Sequence, residues 1–95
     1  LPTLPPEVKF EHVRQLSLRN MGLNDDVGYF LKHFKGLNTL ELTDNQVTRL
    51  PEVLQQMKHL RRLYLANNQL QLTEYTRTKL GDLRGLTVLD LTNNP

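Results

Sequence analysis

Histidine, serine and the carboxylates are the residues here from which a catalytic or metal site would be built. The three histidines are His12, His33 and His59. Zinc binding by paired imidazoles calls for two of them one helical turn apart, or close Cys/His spacing. None of the three is so placed. His12 and His59 each stand directly before the first apolar residue of a similar stretch, Val13 and Leu60, which gives them a shared structural position instead of a ligand role. Ser17 is the sole serine, and no Gly-x-Ser-x-Gly turn surrounds it, so no nucleophile elbow is expected. The acidic residues are scattered, with no facing pair of the kind glycoside cleavage uses. No Gly-x-x-x-x-Gly-Lys loop is present to cradle phosphate. With no cysteine, disulfides, thiolate metal sites and a thiolate nucleophile are excluded within this chain. The expectation is a non-catalytic segment with no cofactor and no metal, whose chemistry is recognition.

The elements that would carry such recognition follow from leucine spacing. Leu37, Leu40, Leu42, Asn45 and Val47 fit the pattern Leu-x-x-Leu-x-Leu-x-x-Asn-x-(Leu/Val), as do Leu60, Leu63, Leu65, Asn68 and Leu70. Leu86, Leu89, Leu91 and Asn94 begin a further copy, and Val13, Leu16, Leu18, Met21 and Leu23 form a degenerate one. The pattern resembles that of leucine-rich repeats, which implies an α/β solenoid: a short horseshoe arc with a parallel concave sheet of about four strands. The convex side would carry helices or turns. One domain is expected over 1–95, with repeats at 13–36, 37–59 and 60–85, a tail of an upstream repeat or cap at 1–12, and the start of a truncated repeat at 86–95. Because the chain opens at Leu1 and its last motif stops at Pro95, it is expected to be a segment of a longer protein.

Within the cleanest unit, Thr39 to Thr43 reads as a strand with Leu40 and Leu42 inward and Thr39, Glu41 and Thr43 outward. Asn45, Asn68 and Asn94 are expected to form a structural ladder, their amides bonding backbone groups that the turn leaves unpaired. Val47, Leu50, Leu54 and Met57 complete the buried stripe, and Pro51 fixes the convex turn. In the longer third unit a helix is expected from Glu74 to Lys79 or Leu80, capped by Thr73, with Leu80 inward. In the first, Val27, Phe30, Leu31 and Phe34 follow the spacing of an amphipathic helix. Asp25 and Asp26 would suit its N-terminus and Lys32, His33 and Lys35 its C-terminus, with Gly36 as the cap. Met21 holds the ladder position there, and Asn20 reads as out of register, so the ladder is expected to be interrupted or reshaped. Leu4, Val8 and Phe10 would finish the upstream unit, in a stretch kept extended by Pro2, Pro5 and Pro6.

Outward strand positions form three columns: Gln15, Thr39, Arg62, Val88; then Ser17, Glu41, Tyr64, Asp90; then Arg19, Thr43, Ala66, Thr92. Gln15, Ser17, Arg19, Thr39, Glu41, Thr43, Arg62, Tyr64 and Asp90 are the candidate partner-binding set. Tyr64, flanked by Arg62, Glu41 and Asp90, has the mixture of residues found at binding hot spots. Four strands span ~14 Å between the outer two, a face of a few hundred Å², below the ~800 Å² a stable interface takes from each partner. Flanking repeats or the convex side would have to extend it. The net charge of +2 speaks against nucleic acid, and Lys58, His59, Arg61 and Arg62 read as a solvated rim. No apolar run is long enough to span a membrane. The expected partner is a protein; self-association through an exposed terminal strand is the other interaction the pattern allows.

Particular strings go beyond the generic repeat. HVRQLSLRNMGLNDDV, TRLPEVLQQM, LANNQLQLTEYT and LTVLDLTNNP, together spread over the whole chain, resemble the repeat segment of bacterial secreted proteins that carry a novel E3 ligase (NEL) domain. That resemblance implies a substrate-recognition segment of a bacterial ubiquitin ligase effector, secreted into the host cytoplasm, with restraint of the ligase as a further role. The catalytic cysteine of that family has no counterpart here. The alternative is an intracellular repeat scaffold or regulator with no ligase activity. The absence of cysteine speaks against extracellular animal and plant repeat proteins, whose caps are typically stapled by disulfides.

Overall fold

A computed structural model describes residues 1–95. Its core is one parallel sheet of four strands in the order β1-β2-β3-β4, each three residues long: β1 Gln15–Ser17, β2 Thr39–Glu41, β3 Arg62–Tyr64 and β4 Val88–Asp90. Registers run Gln15–Thr39–Arg62–Val88 and Leu16–Leu40–Leu63–Leu89, so the repeat lengths of 24, 23 and 26 residues between strand starts are absorbed entirely on the convex side. Sequence order and spatial order coincide, as they must when each unit can bury its apolar stripe only against its neighbours. The molecule measures 35 × 28 × 19 Å.

Leu31, Leu37, Leu40, Leu42, Leu54, Leu63, Leu65, Leu70 and Val47 are wholly buried. Burial is deepest in the two central units. In the flanking strands the equivalent inward leucines, Leu16 and Leu89, are only half-buried and 40% exposed.

The convex side changes form from unit to unit. The first unit has helix α1, Val27–Leu31; the second a 3-10 helix, Glu52–Gln56; the third helix α2, Glu74–Gly81. Helix α2 begins where Thr73 in extended backbone accepts a bond from the Thr76 N–H at 3.3 Å, and it buries Leu80 together with Thr76. The second unit is the shortest, and it follows Pro51 with a tighter helix that buries Val53 and Leu54, whereas Leu50 is only half-buried. Helix α1 is shorter than its apolar spacing predicts. It stops at Leu31 with Lys32 as the cap, and Phe34 is buried from the turn that follows. No helix is long and apolar enough to cross a membrane.

Three expectations for the first unit need correction. Gly36 does not cap α1. A Cβ there would lie 2.6 Å from the Glu11 carbonyl oxygen and collide with the Arg14 guanidinium, so glycine is required by close approach of the upstream segment. His33 does not stand in solvent at a helix end: it is buried, and its Nδ1 bonds the Val8 carbonyl. Asp25 lies at the α1 start and its carbonyl accepts the Gly28 N–H, but its carboxylate makes no bond there and reaches the next unit instead. The segment before β1 packs by stacking Phe10 on Phe34 at 5.0 Å and by the Phe10 N–H bond to the His33 carbonyl.

Candidate functional site

Strand pairing carries the first two outward columns onto one face. Gln15, Thr39, Arg62 and Val88 are register partners, and Ser17, Glu41, Tyr64 and Asp90 are the next row. Several of these side chains already bond one another. The Ser17 hydroxyl donates to Glu41 Oε1 at 3.0 Å, and Arg62 donates to the Thr39 hydroxyl, also at 3.0 Å. Tyr64 is half-buried between its register partners Glu41 and Asp90. Thr92 donates to Asp90 Oδ1 through its hydroxyl and its N–H, and these two bonds hold the Asp90 carboxyl below the usual aspartate range against the opposing pull of burial. A charged Asp90 therefore persists beside Tyr64 at any ordinary pH.

The third column lies beyond the strands. Arg19 is exposed and makes the chain's one ion pair, its Nε 3.3 Å from Asp44 Oδ2. Thr43 is half-buried. Ala66 is buried and offers a partner nothing.

Underneath the face lies the amide ladder. Asn68 donates to the carbonyls of Leu42, Leu65 and Ala66 at 2.9, 3.1 and 3.2 Å, and accepts from the Val47 N–H at 3.0 Å. Asn45 repeats this one unit earlier, donating to Leu18, Leu42 and Thr43 and accepting from Met21 and Leu23. Asn94 bonds Leu65, Leu91, Thr92 and the Leu70 N–H. No buried side-chain nitrogen or oxygen is left without a partner.

A second, exposed row escaped the sequence reading. Asn20, Asp44, Asn67 and Asn93 all have positive φ, from 53° to 62°. Asn and Asp are the non-glycine residues that tolerate this backbone best. Asn67 donates to Asp44 Oδ1 at 2.6 Å, and Asn93 to Asn67 Oδ1 at 2.7 Å. Asn20 thus stands in register with Asp44, one residue before the ladder position, and Met21 simply leaves the ladder's first rung empty, half exposed at 51%. The signal was available: an Asn or Asp immediately before each ladder residue, once per repeat.

Arg62, Tyr64, Glu41 and Asp90 are brought together; Arg19 and Thr43 lie toward the strands' C-terminal edge. No group of three or more His, Asp or Glu side chains is disposed to hold a metal ion. Two surface depressions lie away from this face. One is where the N-terminal segment meets α1, with Leu4, Met21 and Tyr29 in its wall. The other is between the convex helices, flanked by Tyr29 and Tyr75, which are 70% and 67% exposed.

Comparison with known proteins gives two kinds of likeness. The sequence profile of a family described as "Leucine rich repeat" matches residues 11–70, and a second profile with that description matches residues 59–83. A curated relative, "Putative neurotrophin receptor LTRK 1" of Lymnaea stagnalis, is 35% identical over 71 residues, which are 74% of this chain and 9% of the relative. Among solved structures, an internalin from Listeria monocytogenes superposes with a TM-score of 0.59 at 28% identity, covering 84% of this chain and 22% of that one. The chain thus spans about a tenth of the first protein's length and about a fifth of the second's.

Proposed function

Since the chain belongs to the leucine-rich repeat family, we propose that it is a protein-interaction module whose concave face, centred on Tyr64, Arg62, Glu41 and Asp90, recognises a protein partner. The observation that carries this is the row of solvent-reached, chemically varied side chains, half-buried at Glu41, Tyr64 and Asp90 and exposed at Arg62, set on a fully satisfied core. The fold needs only the inward leucines and the ladder amides, so the outward positions are free to specify a partner. The name of the Lymnaea relative describes a receptor, which supports ligand recognition as the use of such repeats. Gln15, Ser17, Arg19, Thr39 and Thr43 extend the proposed surface around the Tyr64 centre. Replacing Tyr64 and Arg62 by Ala in the complete repeat array should weaken partner capture by about tenfold or more, as for a hot-spot pair, and leave the circular dichroism spectrum unchanged. Undiminished capture would remove this assignment.

The finer reading is a substrate-recognition segment of a bacterial ubiquitin ligase effector delivered into host cytoplasm. It is supported by the resemblance of the four strings quoted above and by a bacterial structural neighbour. An animal receptor among the relatives supports a scaffold or receptor setting equally, and weakens the argument from missing cysteines against animal extracellular repeats. A cysteine in the parent's downstream domain that forms a thioester with ubiquitin would establish the ligase reading. A parent with no such cysteine would end it.

A further inference from the structure

The edge of the sheet at which the strands begin carries concentrated positive charge, of which only Arg14, bonded to the Glu11 and Gly36 carbonyls, and Arg62, bonded to the Thr39 hydroxyl, serve the fold. Each unit approaches its strand through the same tight turn: Val13 N–H bonds the Phe10 carbonyl, Leu37 that of Phe34, Leu60 that of Met57 and Leu86 that of Leu83. The turn places Lys35, Lys58 and Arg84 at one equivalent position in three successive units. Backbone bonds from Asn38 to Arg14, from Arg61 to Asn38 and from Thr87 to Arg61 align the next row. Residues 11–15, 35–39, 58–62 and 84–88 therefore form one strip across the sheet edge. It holds Arg14, Lys35, Lys58, Arg61, Arg62 and Arg84, six of the chain's 12 cations, and only Glu11 of its 10 acids. The other six cations share the remaining surface with nine acids. All six strip cations are exposed. None is in an ion pair, the single pair being Arg19 with Asp44.

Like charges stacked at the ~4.8 Å spacing of adjacent strands repel and cost stability. A solvated rim has no need of that cost, and the short run at Lys58 to Arg62 is only one of the strip's four segments and holds half of its six cations. We infer that this strip is an electrostatic docking edge for a carboxylate-rich segment of the protein partner. The inference rests on the concave-face reading for the class of partner. Charge along the strands favours a protein over a polyanion: past the basic edge, the next row on the same face holds Glu41, Tyr64 and Asp90 side by side. A uniformly anionic strand or lipid surface spreading onto the face would meet those carboxylates. A polypeptide with acids at one end and neutral or basic residues at the other matches both zones.

The test uses a fluorescent oligoglutamate of about eight residues, long enough at ~3.3 Å per residue to cross the strip, titrated at about 50 mM salt where screening is weak. Changing Lys35, Lys58 and Arg84 together to Gln should lower its affinity about tenfold, the effect of three exposed ion pairs of ordinary strength. Changing Lys9, Lys32 and Arg77 to Gln removes the same charge elsewhere and should leave affinity near that of the parent chain. Equal losses in the two variants, or no binding by the parent chain, would overturn the strip. Tighter binding of an oligothymidylate of equal charge, or of phosphatidylserine vesicles, would overturn the protein segment as its occupant. Thermal melting of the Gln variants checks the fold; the strip variant should melt no lower than the parent because repulsion is relieved. If the strip fails while Tyr64→Ala still weakens partner capture, the concave reading stands without it. If Tyr64→Ala has no effect while the strip variant loses the peptide, the concave centre falls and the edge remains a peptide-binding strip.

Discussion

Asn45, Asn68 and Asn94 show how one side chain closes a turn that backbone alone cannot satisfy. Each amide donates to a carbonyl three residues back and to one in the preceding unit, and each accepts an N–H from that unit. The cost of removing it depends on how dry the site is. Asn68 is 6% exposed, whereas Asn94 is only half-buried. Asn68→Ala should therefore cost ~1–3 kcal/mol by stranding buried groups, and Asn94→Ala distinctly less, since water can replace it. Urea midpoints of the two variants measure the difference; equal shifts would mean that burial does not set the cost. Gly36 is a residue-scale feature of another kind. The Arg14 guanidinium beside it could swing away, but the Glu11 carbonyl is backbone and cannot yield so cheaply. Gly36→Ala should cost ~1–3 kcal/mol, as overpacking does, while Gly81→Ala, with open space around it, should be neutral or stabilising. A Gly36 variant as stable as the parent would show that the upstream segment yields instead.

Elements differ in how well their residues announced them. Period-two leucines located all four strands and their mutual register, because inward and outward faces cannot be exchanged without exposing the core. Thr73 located the start of α2, because an extended residue with a side-chain acceptor is the only local way to serve the first helical N–H groups. Helix α1 was overread. Phe34 has helical spacing from Leu31, yet it is buried by stacking on Phe10 from a turn, and spacing alone does not separate the two. Contacts between units left no mark in the local pattern. Asp25 is the instructive case: charge near a helix start looked sufficient, but its carboxylate accepts from Thr48 N–H at 2.9 Å, from the Thr48 hydroxyl and from Arg49 N–H, tying the first unit's convex loop to the second's. Burial pushes its carboxyl up; the Thr48 and Arg49 bonds, with the Arg49 charge, outweigh that and hold it below the ordinary aspartate value. The folded state therefore keeps this proton off more readily than the unfolded chain, where the pKa is ~3.9. The tie contributes fully above about pH 4 and is lost as pH falls through the lowered value. Asp25→Asn should accordingly be less stable than the parent near pH 7, with the gap closing toward pH 3. A gap that is constant with pH would place the tie in the bonds and not in the charge.

At the scale of the molecule, stability should follow position in the stack, because each unit is buried only by the units beside it. The two central inward leucines, Leu40 and Leu63, are fully buried, while Leu16 is half-buried and Leu89 is 40% exposed. The candidate face inherits this gradient: Glu41, Arg62 and Tyr64 stand on the strands with covered leucines, and Asp90 on the outermost one. Hydrogen exchange resolved by residue should show the slowest amides in the central strands, with opening free energies near the global value, and faster exchange at both outer strands. The outer edge of β4 also presents backbone groups that no strand here pairs, and such edges template association. Repeating the exchange at low and high protein concentration separates the two effects. Fraying alone leaves the rates around Val88 to Asp90 independent of concentration. Protection there that rises with concentration, while β1 stays fast, marks copies joined through that edge. Uniform protection across all four strands at both concentrations would contradict the gradient, and would mean that the short solenoid opens as one cooperative unit despite its uneven burial.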